Sequence, residues 1–264
     1  MRKIIIVTGA SSGLGSEFSK ILAEEPCDEL WILARRSDLL ENVKNQIEEK
    51  KTHPLVNAIS IDLSGIEGAK KFNEILKAEN AREEILITYL VNNAGFGTYG
   101  EFANTDTERE MQMIDLDCTT LTGLTGYCLP FMKTGSRIIN VASLASFMPL
   151  GNFAVYGACK SFVLSFSVAL RAELKPKGIT VTAVCPGPVD TNFANVASKG
   201  ARVKVLHGKS AYKTALHAVK KAKRGKLYSI YAFKWKFKAF ASHFVNKSLG
   251  AWFTYKFCKR PSNC

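Results

Sequence analysis

No apolar run in this chain approaches the roughly 20 residues needed to span a bilayer. The run that opens it, Ile4 to Val7 in MRKIIIVTGA, is too short for the core of a signal peptide, so a cytoplasmic protein is expected. Cysteine occurs seven times, at 27, 118, 128, 159, 185, 258 and 264, but never as C-x-x-C. An odd count without that spacing argues against a zinc site and against a disulfide framework, and predicts mostly reduced, buried packing residues. Histidine is scarce; His207, His217 and His243 lie among basic residues without acid partners, and no metal site is expected. Acids are missing from one whole stretch. Residues 191–264 carry 17 Lys+Arg and no Asp or Glu, whereas residues 1–190 carry 19 Lys+Arg and 23 Asp+Glu. The net charge of +13 therefore belongs to the C-terminal quarter, and it favours a polyanionic or acidic-surface partner.

What is present suits one domain: 264 residues, 47% hydrophobic, with no repeat and no low-complexity linker. Short β-branched runs at 4–8, 29–34, 57–61, 85–92, 137–142 and 179–184 alternate with longer helical patterns. That alternation is the mark of βαβ units. The runs are apolar on both faces, as in a parallel sheet covered by helices on either side. The fold class read from this is a doubly wound α/β sheet spanning residues 1–232, followed by a basic, aromatic extension at 233–264.

TGASSGLG, residues 8–15, falls between the first strand and a helix beginning near Leu14. Glycines there allow a tight turn and bring backbone N–H groups and a helix N-terminus close to a pyrophosphate. Gly9, Ser11, Ser12, Gly13, Leu14 and Gly15 are the candidate phosphate-side residues. The spacing is G-x-x-x-G-x-G rather than G-x-G-x-x-G, and an ordinary tight turn is the competing reading. After the second strand, where an acid would bind the ribose hydroxyls of NAD, the chain has Arg35 and Arg36. Two guanidiniums suit a 2′-phosphate, which favours NADP(H); the alternative is a solvated charge pair opening a helix.

In AVYGACKSFV, residues 154–163, Tyr156 and Lys160 stand at i and i+4 and so share a helix face. A tyrosine hydroxyl, with an ordinary pKa near ~10, is a poor proton donor or acceptor at neutral pH, and a neighbouring ammonium lowers that value. Ser143 ends the strand RIINVAS, at the edge where open α/β sheets bind ligands, and its hydroxyl suits a carbonyl oxygen. Singly, each residue is as readily a packing or turn residue.

Jointly, TGASSGLG, VNNAG (91–95), Ser143, the Y-x-x-x-K of Tyr156 and Lys160, and PGPVDT (186–191) resemble the short-chain dehydrogenases/reductases over essentially the whole chain. The resemblance implies a Rossmann-type sheet of about seven strands and hydride transfer between a nicotinamide and a carbonyl or alcohol carbon. It makes Tyr156 the general acid/base, Ser143 the group that orients the substrate oxygen, and Lys160 the residue that holds the nicotinamide ribose and tunes Tyr156. It also places Asp62 and Leu63 beside the adenine, and Asn93, Ala94 and Gly95 along the cofactor cleft. Pro186, Gly187, Val189 and Thr191 fall on the nicotinamide side, the last two at the carboxamide. One position departs from the pattern: Asp117 stands where the family usually has an Asn in a relay leading to Lys160. A helix carboxylate facing solvent beside Asp115 is the alternative reading. Dimers or tetramers built on helices near 107–132 and 153–175 are also implied.

In the tail, Phe233, Phe237, Phe240, Phe244, Ala251 and Tyr255 fall on one stripe if 233–257 is a single helix. A stripe docked on the body beside the substrate pocket, an in-plane helix on anionic lipid, and a nucleic-acid surface all remain open, although no nucleic-acid motif accompanies it. The functional expectation is an NADP(H)-dependent oxidoreductase acting on a hydrophobic carbonyl or alcohol. The alternative is a catalytically weak NADP(H)-sensing or membrane-tethered binding protein on the same fold.

Overall fold

The computed structural model describes residues 1–203, 205 and 208–263; His207 and Cys264 lie outside the described residues. Strands β1 (Arg2–Thr8), β2 (Glu29–Ala34), β3 (Leu55–Ser60), β4 (Ile85–Asn92), β5 (Arg137–Val141) and β6 (Thr180–Val184) match the apolar runs. Two short strands, β7 (Val189–Asp190) and β8 (Lys209–Ser210), pair with each other, and β9 (Tyr228–Ser229) adds to the main sheet. The main sheet is parallel and seven-stranded, in the order β3-β2-β1-β4-β5-β6-β9.

The helices are α1 (Gly13–Leu22), α2 (Ser37–Glu48), α3 (Gly65–Arg82), α4 (Thr107–Ile114), α5 (Leu121–Cys128), α6 (Ala154–Leu174), α7 (Phe193–Ala197), α8 (Ala211–Lys223), α9 (Phe233–Ala241) and α10 (Lys247–Phe257). Alternate β1 side chains choose opposite faces. Ile5 and Val7 pack with Phe18 of α1, Leu40 of α2 and Ala218 of α8, while Ile4 and Ile6 pack with Phe72 of α3, Leu124 of α5 and Leu170 of α6. Both faces are thus buried, which is why the strand runs show no polar alternation.

Chain order reverses between β1 and β4, which lie side by side. Their carboxyl ends open the crevice in which a doubly wound sheet holds ligands. A further feature positions the site. Asp115–Thr120 is a π-helical segment between α4 and α5, and such wide turns change which side chains face inward. It buries Asp117, only 1% exposed, and leaves Asp115 at the surface.

The tail is not one helix. It breaks after α9 through a 3₁₀ turn at Ser242–Phe244, and α10 restarts with Asn246 as N-cap, its side chain accepting from the N–H groups of Ser248 and Leu249. The break changes the phase of the expected stripe. Trp235 and Ala239 are the buried residues of α9, while Phe233, Phe237, Phe240 and Phe244 are exposed. Tyr255 instead packs its Cβ toward Gly151. Among the described residues, no helix is long and apolar enough to cross a membrane. Cys118, Cys128, Cys159 and Cys185 are buried thiols, and Cys258 is exposed.

Candidate active site

The glycine loop wraps tightly across the carboxyl ends of β1 and β4. Gly9 and Gly13 take left-handed backbone with φ of +63° and +59°. A Cβ on Gly9 would fall 2.8 Å from Ala94 Cα, and one on Gly15 would collide with the Gly9 carbonyl oxygen. The VNNAG segment is fixed to the same loop: the N–H groups of Asn93 and Ala94 both donate to Thr8 Oγ1 at 3.0 Å, and Asn93 Nδ2 donates to the Thr8 carbonyl at 2.9 Å. Across the cleft, Thr191 packs within 3.3 Å of where a Gly13 Cβ would lie. A backbone cradle at a helix N-terminus, kept free of side chains, fits a pyrophosphate.

Arg36 Nη2 donates to Ser11 Oγ and Ser12 Oγ, each at 3.2 Å, which brings a guanidinium to the phosphate side of the loop. Leu14 packs into the core beside it. Arg35 is exposed and acts on Asp62. Burial tends to raise the Asp62 carboxyl, but hydrogen bonds from Ser64 and the charges of Arg35 and Lys71 outweigh it and hold the group below its ordinary value. Leu63 is buried, and its carbonyl accepts from Thr120 Oγ1. On the other side of the cleft, the Pro186 carbonyl accepts from the Leu144 N–H at 2.9 Å, Gly187 lies under the Trp235 ring, and Val189 sits in β7.

Ser143, Tyr156 and Lys160 converge. Ser143 caps the 3₁₀ turn that follows β5: its Oγ accepts from the Ala145 N–H at 3.1 Å, and Ser146 Oγ in turn donates to the Lys160 carbonyl at 2.7 Å. Tyr156 and Lys160 are both buried on the inner face of α6, with the ammonium 5.6 Å from the Tyr156 ring centroid. Burial pushes the Tyr156 hydroxyl above its ordinary value; Lys160 and a hydrogen bond with Ser143 pull it down, and Asp117 adds to the rise.

Lys160 Nζ donates to the Val141 carbonyl at 3.2 Å and lies 2.9 Å from Asp117 Oδ2. That contact is a buried ion pair, while Oδ1 accepts from the Phe96 N–H at 3.0 Å. Burial works to lower the Lys160 ammonium, but the charges of Asp117 and Tyr156 outweigh it and hold the ammonium well above its ordinary value. Burial likewise raises the Asp117 carboxyl, against the pull of Lys160 and the Phe96 N–H. Gly95 permits the approach, because a Cβ there would lie 2.6 Å from Oδ1.

Four neighbours of the site escape sequence reading. Phe153 stacks on Tyr156 with ring centroids 4.0 Å apart, and Phe193 tilts against it at 5.5 Å. Arg260 Nη1 donates to the Gly151 carbonyl at 2.9 Å and its guanidinium lies 5.2 Å from the Phe153 centroid. Trp235 closes over Gly187 with its Nε1 buried and without a hydrogen-bond partner among the described residues. An aromatic three residues before Tyr156 was the available signal for Phe153; Arg260 and Trp235 arrive from the extension and carried none. Of the histidines, His217 Nδ1 pairs with Ser229 Oγ at 2.8 Å, and His243 lies edge-on to Phe147.

Residues 3–202 match the short chain dehydrogenase family, and the chain belongs to that family. Members with this fold bind a nicotinamide cofactor, and the cradle described above fits one. The chain is 32% identical over 205 residues to the probable oxidoreductase EphD of Mycobacterium tuberculosis. That match covers 75% of this chain but 32% of EphD, so the chain spans about a third of the length of this relative. Among solved structures, a short-chain dehydrogenase of Sphingobium yanoikuyae in complex with NADPH is 28% identical with a TM-score of 0.77, the likeness covering 91% of this chain and 93% of that one. A bulky-bulky ketone specific alcohol dehydrogenase from Comamonas testosteroni is 25% identical with a TM-score of 0.73 over 92% of both chains.

Proposed function

We propose that this protein is an NADP(H)-dependent oxidoreductase interconverting a carbonyl and an alcohol on a hydrophobic substrate. The observation that carries the reading is the meeting of Ser143, Tyr156 and Lys160 beside the glycine cradle, at the switch point of the sheet. A nicotinamide bound there supplies the hydride or takes it up. Tyr156 gives its proton to the developing alkoxide on reduction, or takes one from the alcohol on oxidation. Ser143 holds the same oxygen, its hydroxyl turning from Tyr156 to donate to it while its own oxygen accepts from the Ala145 N–H. Lys160 binds the nicotinamide ribose and opposes the rise that burial imposes on Tyr156.

Phe153 and Phe193 pack on Tyr156 and Trp235 covers Gly187, apolar surroundings that suit a lipophilic carbonyl, and the bulky-ketone specificity of the Comamonas neighbour favours the same class. The extension at 233–264 reaches these surroundings through Trp235 and Arg260. Met111, Ile114, Phe162 and Val168 are exposed on α4 and α6, as expected if a second copy covers them in a homo-oligomer.

The preference for NADP(H) rests on Arg36 beside Ser11 and Ser12, and on Arg35 close by. Titration of the full chain with NADPH and NADH should give tighter binding of NADPH. The double variant Arg35→Ala, Arg36→Ala should weaken NADPH by about tenfold or more, the scale of lost charge-assisted bonds to a phosphate, with little effect on NADH. Equal affinities in both proteins would remove the role given to these arginines.

A further inference from the structure

We propose that the outward face of α9 and α10 docks in the plane of an anionic lipid bilayer. Phe233, Phe237 and Phe240 follow one another at i, i+4 and i+7 and so share a side of α9, opposite to the buried Trp235 and Ala239. Phe244 continues the row, edge-on to Phe240 at 5.2 Å. On α10, Leu249 and Trp252 are turned out as Gly250 packs onto Met148. These are not grazing exposures: Phe233 is 81% exposed and Phe244 77%. A contiguous aromatic surface of this kind marks an interaction site on a globular domain.

Charge selects the occupant. Lys236 and Lys247 border the row, and Lys234 and Lys238 flank it on the side of Trp235 with their ammonium groups over that ring; all four are exposed, and residues 191–264 contain no acid to neutralise them. A second copy seated on this face would set lysine against lysine across a two-fold axis, which like-charge repulsion disfavours. An anionic bilayer satisfies both halves of the surface: the aromatics enter the headgroup and acyl boundary while the lysines stay at the phosphates. Val245 and Leu249, also exposed, give a nucleic-acid base nothing to stack on but add to burial in lipid.

The inner side of the same helical pair holds the loops flanking the site. Trp235 lies on Gly187, Gly250 on Met148, and the Gly151 N–H donates to Thr254 Oγ1 at 2.9 Å. Membrane contact and the cleft are thus carried on two sides of one short unit. On the proposed reductase reading, the bilayer is also the source of the lipophilic substrate.

Co-sedimentation of the full chain with vesicles tests the surface without reference to turnover. The native protein should pellet with phosphatidylcholine vesicles containing phosphatidylglycerol, pellet far less with phosphatidylcholine alone, and be partly released by salt. The variant Phe233→Ser, Phe237→Ser, Phe240→Ser, Phe244→Ser should lose binding by about tenfold or more while keeping the native circular dichroism, since these side chains bury little in the protein. The proposal is overturned by no binding of the native chain to anionic vesicles at low salt, by equal binding of the variant, or by displacement from vesicles by a single-stranded oligonucleotide that binds more tightly. A light-scattering mass showing a dimer that only the native chain forms would assign the face to a second copy and overturn it as well.

Discussion

Tyr156→Phe is expected to lower turnover by about a hundred- to ten-thousand-fold, the range associated with loss of a positioned general acid. The substitution removes Oη and leaves the packing. The ring is held by stacking on Phe153 at 4.0 Å and by Phe193 at 5.5 Å, contacts that a phenyl group keeps. Stability should therefore change by about 1 kcal/mol, the usual net value of one hydrogen bond, and nicotinamide affinity should be nearly unchanged because the cradle belongs to the glycine loop. NADPH oxidation against a panel of lipophilic ketones and aldehydes, native beside variant, is the measurement. Equal turnover in both proteins would place the proton donor elsewhere. Absence of turnover in both, with tight NADPH binding, would favour a nucleotide-sensing role over catalysis.

The sheet was legible because its cause is local: β-branched runs buried on both faces need no partner information to be recognised, and six strands follow from them. β9 was not, since two residues, Tyr228 and Ser229, carry no periodicity. Ser143, Tyr156 and Lys160 could be brought together on paper because helix spacing and strand ends fix where side chains project. Asp117 could be set near Lys160 only through the family resemblance, because its direction depends on the π-helical turn at Asp115–Thr120, and a change from one hydrogen-bond register to another leaves no composition signal. The tail misleads for a related reason. A row of aromatics at helical spacing states that they share a face, not which way the face points, and the break at Ser242–Phe244 contains no Gly or Pro to mark it. The small residues tell more. Gly151 and Gly187 of the body and Gly250 of the extension each meet a side chain or backbone from across the tail contact, so glycines on both sides mark the inner face and phenylalanines the outer one.

Asp117 carries the second large effect, and two substitutions separate its charge from its shape. Asp117→Leu leaves the Lys160 ammonium buried without a counter-charge, which should cost about 3–5 kcal/mol and lower Tm by on the order of 10 °C in a domain of this size. Asp117→Asn keeps an oxygen that can accept from the Phe96 N–H and face the ammonium, so its cost should be smaller. Its main effect should appear in the pH profile. The Asp117 carboxylate helps hold the Tyr156 hydroxyl above its ordinary value, so an uncharged amide stabilises the phenolate relative to the phenol. Alcohol oxidation, which needs the phenolate as base, should then rise at lower pH than in the native protein. Carbonyl reduction, which needs the phenol as acid, should fall off at lower pH as well. The accompanying loss of support for the Lys160 ammonium does not cancel this, because lysine with its proton retained still favours the phenolate. Rate profiles in both directions, with thermal melts of both variants, test the two halves. An unmoved profile in Asp117→Asn would show that the carboxylate serves packing alone, and a melt of Asp117→Leu close to native would show that Lys160 finds its stabilisation in the Val141 carbonyl and not in the ion pair.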